Sequence, residues 1–370
     1  MQPRPPLEAI PATILAAADY LSRAADHLPS ATLAWLEGGS GAELTLRANR
    51  DAFAGERIIP RLLVDMTRGH TRLSVLGQTL EHPVLLAPLG HMSLLHPAGE
   101  IGVAQAAAAT DSGMITSTLA SCPLEQIADA TTAPRWFQLY FQRHRKQTLE
   151  LLRRAERAGF NAIVVTLDAP LQPPSRRAQL AAFQAPTAPA LASLSAVQEQ
   201  QQVFLEPGQS RLLQGMMSEA PTWADLQWLL EETSLPVLIK GVMHPDDAVA
   251  LKAAGVAGIV VSNHGGRALD SAPATLQMLP AVRRAVGDDY PVLLDGGIHS
   301  GSDVFKALAR GADAVLIGRL QASALAVAGA LGVAHMLQLL REELELCMAL
   351  AGTPTLADIR PDCLYGEYRC

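Results

Sequence analysis

From residue 83 onward, short apolar runs alternate with longer segments that mix apolar and polar residues. Each run has three to six residues, mostly aliphatic, which is typical of strands buried on both faces of a parallel sheet. The pattern predicts eight such strands: Val84–Ala87, Met114–Ser117, Trp136–Tyr140, Ala162–Leu167, Val237–Lys240, Gly258–Val261, Val292–Leu294 and Ala314–Ile317.

The segments between these runs predict helices, because they are amphipathic or rich in alanine, and several lead to a glycine of the kind that ends helices. Examples are Gln147–Ala158 before Gly159, Asp246–Ala254 before Gly255, and Asp303–Ala309 before Gly311. Eight βα units predict an α/β fold of the (β/α)8 TIM barrel type. An open doubly wound sheet is the alternative, which the lack of G-x-G-x-x-G after the first strand disfavours.

Two stretches fall outside the repeat. We expect residues 1–82 to form an N-terminal helical extension, with a Gly-rich turn at 38–41, packed on a barrel of residues 83–370. The segment 170–221, rich in Pro, Ala, Gln and Ser, follows the fourth strand. A loop of this length in a compact domain is usually functional or disordered, so we predict an active-site lid, with an inert linker as the alternative.

Composition narrows the class of partner. A net charge of −7 over 370 residues argues against nucleic acid or an anionic membrane as the main partner. The longest apolar stretch, Leu320–Ala334, is too short to span a bilayer, so no membrane segment is predicted. The N-terminus lacks a signal-peptide layout and the four cysteines show no paired spacing, which predicts a cytoplasmic protein with reduced thiols.

The segment Ser262–Asp270 carries the strongest chemical signal. It follows a predicted strand and places His264 and Arg267 on a turn with two glycines. This pairing suits a small acid substrate, because the arginine can bind a carboxylate through two hydrogen bonds while the imidazole accepts a proton. A surface turn is the alternative for His-x-x-Arg alone, but the nine-residue string is more specific.

Other predicted strands also end in polar side chains, and the C-terminal ends of barrel strands converge on one site. Asp295-Gly296-Gly297 and Gly318-Arg319 follow the last two strands, where barrels often bind a phosphate. Lys240 is predicted to face the negative charge that develops in the reaction; the alternative is a structural ion pair with a carboxylate. Asp168 is predicted to orient His264. The histidines lack metal-binding spacing, so no metal is predicted. The remaining polar strand ends are Gln138, Tyr140, Thr166 and Ser262.

Eight short segments between about Trp35 and Ile359 carry a resemblance to a known family: Ala48–Phe53, Leu86–Pro88, His96–Glu100, Phe137–Tyr140, Ile239–Val242, Ser262–Asp270, Leu294–Ile298 and Ile317–Arg319. On these segments the chain resembles the FMN-dependent L-2-hydroxy acid oxidase/dehydrogenase family, which includes glycolate oxidase, lactate oxidase, mandelate dehydrogenase and hydroxymandelate oxidase. The resemblance implies a (β/α)8 barrel, FMN as the cofactor, a small 2-hydroxy acid as the substrate, and a homotetramer.

The resemblance also implies roles for the site residues. His264 would be the base and Asp168 its partner, Arg267 and Arg177 would anchor the substrate carboxylate, and Tyr140 would contact the substrate. Lys240 would stabilise negative charge at the flavin N1–C2 edge. The isoalloxazine ring and ribityl chain would be lined by Ala87, Pro88, Leu89, Gly90, Ser117, Gln138, Thr166 and Ser262. The ribityl–phosphate end would be bound by Asp295, Gly297, His299, Gly318 and Arg319.

Four departures from the family pattern affect the pocket and the phosphate end. Trp35 stands where relatives carry a tyrosine, and Leu119 stands where several of them carry an aromatic residue. About two residues are inserted before Arg177, and His299 replaces an arginine. We therefore expect Trp35 and Leu119 to line an apolar substrate pocket. Glycolate should be a poor substrate, and acids with medium aliphatic or aromatic side chains should be better. Gly90 is expected to leave room beside the flavin.

The implied reaction is oxidation of an L-2-hydroxy acid to the 2-keto acid, with reoxidation by oxygen or another acceptor. His264 would remove a proton either from the hydroxyl group or from Cα, and both routes stay open. Two other functions compete. One is another FMN barrel enzyme, such as a type 2 isopentenyl diphosphate isomerase, which the His-Gly-Gly-Arg turn disfavours. The other is a flavin-binding protein without turnover.

Overall fold

The computed structural model describes residues 2–185 and 205–366, and its N-terminal part combines helices with a hairpin. The helices are α1 (Asp19–His27), α2 (Ser30–Glu37) and α3 (Leu44–Gly55), and the antiparallel strands are β1 (Leu73–Val75) and β2 (Gln78–Leu80). The sequence did not lead us to expect the hairpin. Its apolar residues Val75 and Leu80 are buried in the cluster that fills the barrel, and Trp136 donates a hydrogen bond to Gln78 (3.3 Å). The hairpin therefore closes the N-terminal end of the barrel.

Eight parallel strands form the closed barrel, which confirms the predicted fold class. Around the barrel each strand pairs with its neighbour in chain order, and the last strand pairs with the first. The strands are β3 (Val84–Leu86), β4 (Met114–Ser117), β5 (Arg135–Leu139), β6 (Ala162–Thr166), β7 (Val237–Val242), β8 (Gly258–Val261), β9 (Val292–Asp295) and β10 (Ala314–Ile317). Every one of them lies where an apolar run predicted it.

The apolar runs are continuous because both faces of each strand are buried. Leu85, Leu238 and Leu293 point into the barrel, where they pack on Trp136. The alternate residues pack outward against the helices in a second, larger cluster. Side chains that alternate between two apolar environments leave no polar face to mark the strand in the sequence.

Helices cover the outside of the barrel. They are α4 (Gly99–Ala109), α5 (Leu124–Asp129), α6 (Arg145–Arg157), α7 (Arg176–Leu180), α8 (Trp223–Glu232), α9 (Pro245–Ala253), α10 (Thr275–Val286), α11 (Gly301–Ala309) and α12 (Arg319–Ala351). Helix α12 alone among the described helices is long and apolar enough to cross a membrane, but two thirds of its most apolar window is buried within the protein. It is also interrupted by non-helical backbone at Ala328 and Gly329.

The segment predicted to be a lid is described only in part, because residues 186–204 lie outside the described residues. Its first part contains the short helix α7, which packs beside α2. Ser175 caps α7 by accepting a hydrogen bond from the Ala178 amide (3.3 Å). The first part of segment 170–221 therefore packs on the N-terminal extension, and its role as a lid stays a prediction.

Candidate active site

Polar side chains from β6, β7 and β8 meet at the C-terminal end of the barrel. Asp168 and His264 lie in the loops that follow β6 and β8, and their Oδ1 and Nδ1 atoms are 3.1 Å apart. His264 adopts a left-handed backbone (φ 57°), and its amide donates to the Ser262 hydroxyl (3.1 Å). A Cβ at Gly241 would lie 2.4 Å from the Asp168 Cβ, so only glycine lets Asp168 approach β7 this closely. The pair that the sequence predicted is therefore formed.

Lys240 lies beneath this pair and is almost completely buried. Its Nζ donates to the Ser262 hydroxyl (2.8 Å) and forms an ion pair with Asp295 (3.1 Å). Burial alone would lower the pKa of Lys240, but the Asp295 and Asp168 carboxylates outweigh it and raise that pKa. In Asp168, burial opposes ionisation, yet Lys240 and the His264 hydrogen bond leave its pKa below the usual value. The two predictions for Lys240, an ion pair with a carboxylate and a cation that faces the site, are thus compatible: it has a carboxylate partner and stays a cation within the site.

Tyr140 and Arg267 are the next polar groups of the site. Burial raises the pKa of Tyr140 to about 12, so its phenol is neutral and can donate a hydrogen bond. Arg267 is half-buried, and its partial removal from solvent lowers its pKa, although the guanidinium stays charged at neutral pH. Its Nη1 donates to the Trp35 carbonyl (2.7 Å), and the guanidinium lies 5.3 Å from the centre of the Trp35 ring.

Trp35 is the centre of an aromatic cluster at the pocket. Its ring stacks on Phe183, with centroids 5.2 Å apart and planes 13° apart, and meets His91 edge-on at 6.2 Å. Phe183 follows α7, so the stack joins the lid segment to the N-terminal extension. Phe183 was missed in the sequence because its place opposite Trp35 depends on tertiary contacts between α2 and the segment that follows α7.

Leu119 lies on the opposite loop and packs closely against Gly90. A Cβ at Gly90 would lie 2.7 Å from the Leu119 Cβ and 3.1 Å from the Leu119 carbonyl oxygen. The His91 amide donates to that same carbonyl (3.0 Å). The space beside Gly90 in this direction is therefore filled by Leu119, and glycine is needed for the approach of the two loops.

Arg177 does not lie free at the site. Its guanidinium forms a two-point contact with Glu43 (Nε–Oε1 3.0 Å, Nη2–Oε2 2.6 Å) and an ion pair with Glu37 (3.0 Å). Glu37 is the last residue of α2, and Glu43 lies in the loop just before α3. No local pattern connects these glutamates with Arg177, because 140 residues separate Glu37 from it.

Buried polar atoms without a protein partner mark the floor of the site. Gln138 accepts hydrogen bonds at Oε1 from the Ser117 hydroxyl (3.1 Å) and the Thr118 amide (3.2 Å). Its Nε2 has no partner in the described part of the chain, and neither do Thr166 Oγ1 and Asp295 Oδ1. Because unpaired buried polar atoms are costly, this set of donors and acceptors fits a polar ligand that lies across the strand ends.

The predicted phosphate end is formed mainly by backbone. Gly297 has a left-handed backbone (φ 89°), and a Cβ at Gly318 would meet only Leu89, at 4.0 Å, which leaves open space at the start of α12. Burial and the nearby Arg50 lower the pKa of His299 to about 4, so its ring is neutral. The Arg319 guanidinium donates instead to the carbonyls of Leu36 (3.1 Å), Gly265 (2.8 Å) and Gly38 (3.0 Å). Its side chain therefore supports the loops above the site.

The chain matches the profile described as FMN-dependent dehydrogenase over residues 24–366. It is 55% identical over 359 residues to an L-lactate oxidase of Alicycliphilus denitrificans, an alignment covering 97% of this chain and 98% of that relative. An L-lactate oxidase of Roseobacter sp. is 45% identical over an alignment that covers 94% of this chain and 94% of that relative. The crystal structure of mandelate oxidase with (S)-2-phenylpropionate superimposes with a TM-score of 0.85 at 39% identity, covering 95% of this chain and 98% of that one.

The chain belongs to the FMN-dependent dehydrogenase family. This confirms the predicted FMN-dependent oxidation of 2-hydroxy acids and favours it over the isomerase alternative. The strand-end residues fit the cofactor: Gln138 and Thr166 offer unpaired polar atoms for the edge of the isoalloxazine ring, and Lys240 offers a cation. The residues that follow β3, Ala87 to Gly90, adjoin the end of β10, where the Ala87 amide donates to Ile317 (3.0 Å).

Three residues of the sequence segments named above, to which no role was assigned, connect the loops around the site. Asn49 and Asn263 exchange two hydrogen bonds (2.9 and 2.8 Å), which tie α3 to the loop that carries His264. The buried carboxylate of Glu100 accepts from the amides of Met92 (3.2 Å) and Ser121 (2.9 Å), and so joins the loops that carry His91 and Leu119. No group of three or more His, Cys, Asp or Glu side chains suited to a metal ion occurs among the described residues.

Proposed function

We propose that this protein oxidises short aliphatic L-2-hydroxy acids, L-lactate among them, to 2-keto acids, with oxygen as the acceptor. The observation that carries the proposal is the His264–Asp168 pair (3.1 Å) beside the buried cation of Lys240 and the half-buried cation of Arg267. Relatives that share 55% and 45% of their sequence with the chain are named L-lactate oxidases, which supports the choice of acid and of oxygen.

The reaction removes two electrons and two protons from the hydroxy acid, and FMN when bound supplies the electron acceptor. Ionised Asp168 accepts a hydrogen bond from the Nδ1–H group of His264, so Nε2 carries the lone pair that takes a proton from the substrate. Arg267 binds the substrate carboxylate, and the neutral phenol of Tyr140 donates to the substrate oxygen. Lys240 holds positive charge where negative charge develops.

The remaining roles are part of the same proposal. Arg177 is the second anchor of the carboxylate and must exchange one of its glutamate partners to reach it. Trp35 and Leu119 form the apolar walls that contact the substrate side chain. Gln138, Thr166, Ser117 and Ser262 bind the flavin and ribityl chain, and the backbone of Gly297, Gly318 and Arg319 with the neutral His299 binds the phosphate.

A substrate series tests the proposal. Stopped-flow mixing of the FMN-loaded enzyme with glycolate, L-lactate, L-2-hydroxyoctanoate and L-mandelate should show slow flavin bleaching with glycolate and faster bleaching with acids that fill the apolar walls. Hydrogen peroxide release should follow in air. A clear preference for glycolate would refute the assignment of the walls, and no bleaching with any acid would leave a flavin-binding protein without turnover.

We further propose a cytoplasmic homotetramer. Exposed leucines support association: Leu62 and Leu63 lie beside Leu350, whose carbonyl accepts from the Arg61 amide (3.1 Å). The described cysteines Cys122, Cys347 and Cys363 are free, as is usual in reducing compartments. Light scattering of the purified protein would contradict the tetramer if it gave the mass of one chain, and cell fractionation would test the location.

A further inference from the structure

Arg267, the anchor of the substrate carboxylate, has no acidic partner among the described residues. Its Nη1 donates to the carbonyls of Trp35 (2.7 Å) and Gly38 (3.4 Å), and its Nε and Nη2 form no hydrogen bond with the described part of the chain. Burial, followed by the charge of Arg267, lowers the pKa of Arg319 to about 10, so these two cations lie close enough to repel each other. Attraction to a protein carboxylate therefore does not hold the guanidinium of Arg267 in place.

The indole ring of Trp35 also contacts this guanidinium. The central carbon of the guanidinium lies 5.3 Å from the ring centre, within the range at which an aromatic ring attracts a cation. The carbonyl bonds fix only Nη1, so the contact with the ring restricts how the guanidinium plane can turn. With Nη1 engaged, the edge formed by Nε and Nη2 stays available for the two parallel hydrogen bonds that a carboxylate accepts. The position of the Trp35 ring thus affects how well Arg267 can bind a carboxylate.

Phe183 holds the Trp35 ring from the segment that follows α7. The two rings are nearly parallel, with centroids 5.2 Å apart and planes 13° apart, which is the offset stacking that aromatic pairs prefer. His91 meets the indole edge-on, at 6.2 Å. Trp35 and Phe183 are each only partly buried, so a closed core does not fix the indole. The ring contacts, and the stack with Phe183 above all, therefore restrict it.

The backbone after α7 directs Phe183 to this place. The Phe183 amide donates to the Ala178 carbonyl and the Ala182 amide donates to the Gln179 carbonyl, both at 3.0 Å. This pair of hydrogen bonds is that of a Schellman turn at a helix end. Ala182 has a left-handed backbone in it (φ 54°), a conformation that glycine usually supplies. The turn thus forms despite the strain at Ala182, and it places Phe183 opposite Trp35.

We propose that Phe183 is a positioning residue for substrate binding: it holds the Trp35 indole against Arg267 and thereby orients the guanidinium for the substrate carboxylate. This inference rests on the proposed function, in which Arg267 binds that carboxylate. Phe183 needs no contact with the substrate for this role, because its effect passes through Trp35. Loss of the phenyl ring should weaken binding of the carboxylate and leave binding of FMN unchanged.

The test is a titration of the FMN-loaded enzyme with pyruvate, a 2-keto acid that cannot reduce the flavin, followed by the change in flavin absorbance. Phe183→Leu should raise the Kd of pyruvate about three- to tenfold, the range that loss of an aromatic pair predicts. Phe183→Tyr keeps the ring and should stay within about twofold of the wild type. Tyr365→Leu, which removes an aromatic ring at an exposed position, is the control and should leave the Kd unchanged.

Two double-mutant cycles test the route through Trp35 and Arg267, because residues that act through each other give non-additive effects. When Trp35→Leu or Arg267→Lys is already present, adding Phe183→Leu should change the Kd by less than about twofold. The lysine keeps the charge but lacks the plane that the indole orients. A purely structural role of Phe183 would lower the melting temperature without this coupling. If Arg267→Lys binds pyruvate too weakly to titrate, the second-order rate constant of flavin reduction by L-lactate replaces the Kd.

The possible results separate the two proposals. FMN content and melting temperature establish that each variant is folded, and Phe183→Met and Trp35→Met replace the leucine variants should these fail to fold. A wild-type Kd in folded Phe183→Leu, or an effect of Phe183→Leu that keeps its full size in either cycle, overturns the positioning role alone. A wild type that binds pyruvate but whose flavin is reduced by no hydroxy acid of the series contradicts the proposed function alone, because the titration needs no turnover.

Discussion

At the scale of single residues, the site depends on groups whose charge is fixed by their neighbours. Lys240 is buried yet stays charged because Asp295 and Asp168 surround it, and Asp168 stays ionised because Lys240 and His264 contact it. A lone charge in either place would be expelled or neutralised. Lys240, Asp168 and His264 therefore work as one unit, in which His264 can accept a proton while Asp168 remains an anion.

The first prediction concerns His264. His264→Ala should slow flavin reduction by L-lactate at least ~100-fold, because a positioned base contributes about that much or more. Asp168→Asn should have a smaller effect in the same direction, since it weakens the orientation of the imidazole. Rapid-reaction absorbance measures both, and the exposed His144→Ala serves as control. Near-normal reduction by His264→Ala with FMN bound would remove His264 from the mechanism.

At the scale of elements, the site is held together by the loop region between α2 and α3. Carbonyls of this loop and of the last turn of α2 accept hydrogen bonds from Arg267 and Arg319, and Glu43 of the loop binds Arg177. The loop also approaches the turn after β8 closely, where the Ser40 amide donates to the Gly266 carbonyl (2.9 Å). An element outside the barrel thus positions arginines that belong to the barrel loops.

The second prediction tests this support. Arg319→Ala should markedly lower FMN occupancy, because three partly buried carbonyls each lose a hydrogen bond and the loops above the phosphate end loosen. Occupancy is measured by the ratio of flavin to protein absorbance after dialysis. Arg341→Ala, an exposed position on the same helix, is the control. Full retention of FMN by Arg319→Ala would show that the side chain supports neither the loops nor the phosphate.

At the scale of the whole molecule, stability depends on closing the barrel at its N-terminal end. His82, between the hairpin and β3, is buried; its Nε2 lies 2.8 Å from the Ser112 hydroxyl, and its Nδ1 accepts from the Val84 amide (3.3 Å). Burial lowers the pKa of His82 to about 4. The neutral imidazole is thus part of the folded structure.

The third prediction is a pH dependence. Between pH 6.5 and 4 the unfolded chain binds a proton at His82 before the folded chain does, so the free energy of unfolding should fall on acidification, by roughly 3 kcal/mol from this residue. Above pH 6.5 His82 is neutral in both the folded and the unfolded chain, so it no longer changes the free energy of unfolding with pH. Urea unfolding of His82→Asn should show a shallower decline than the wild type, whereas the exposed His244→Asn should not. Equal slopes for His82→Asn and the wild type would contradict the assignment.

The sequence by itself determined the barrel and the cofactor chemistry. Eight apolar runs mark eight strands because burial on both faces leaves a local signal, and the residues just after these strands converge wherever a barrel forms. Asp168, Lys240 and His264 lie in such positions, so their contact follows once the barrel is accepted. The fine detail of strand ends, such as β5 ending at Leu139 before Tyr140, differs by one or two residues.

Only the tertiary structure decided what lies opposite these residues. The Arg177–Glu43 contact, the Trp35–Phe183 stack and the filling of the space at Gly90 by Leu119 join segments far apart in the chain. No local pattern records such pairs, because each partner alone is an ordinary exposed charge, aromatic residue or glycine. The hairpin was missed for the same reason: its strands are three residues each, and what stabilises them is the barrel interior they close.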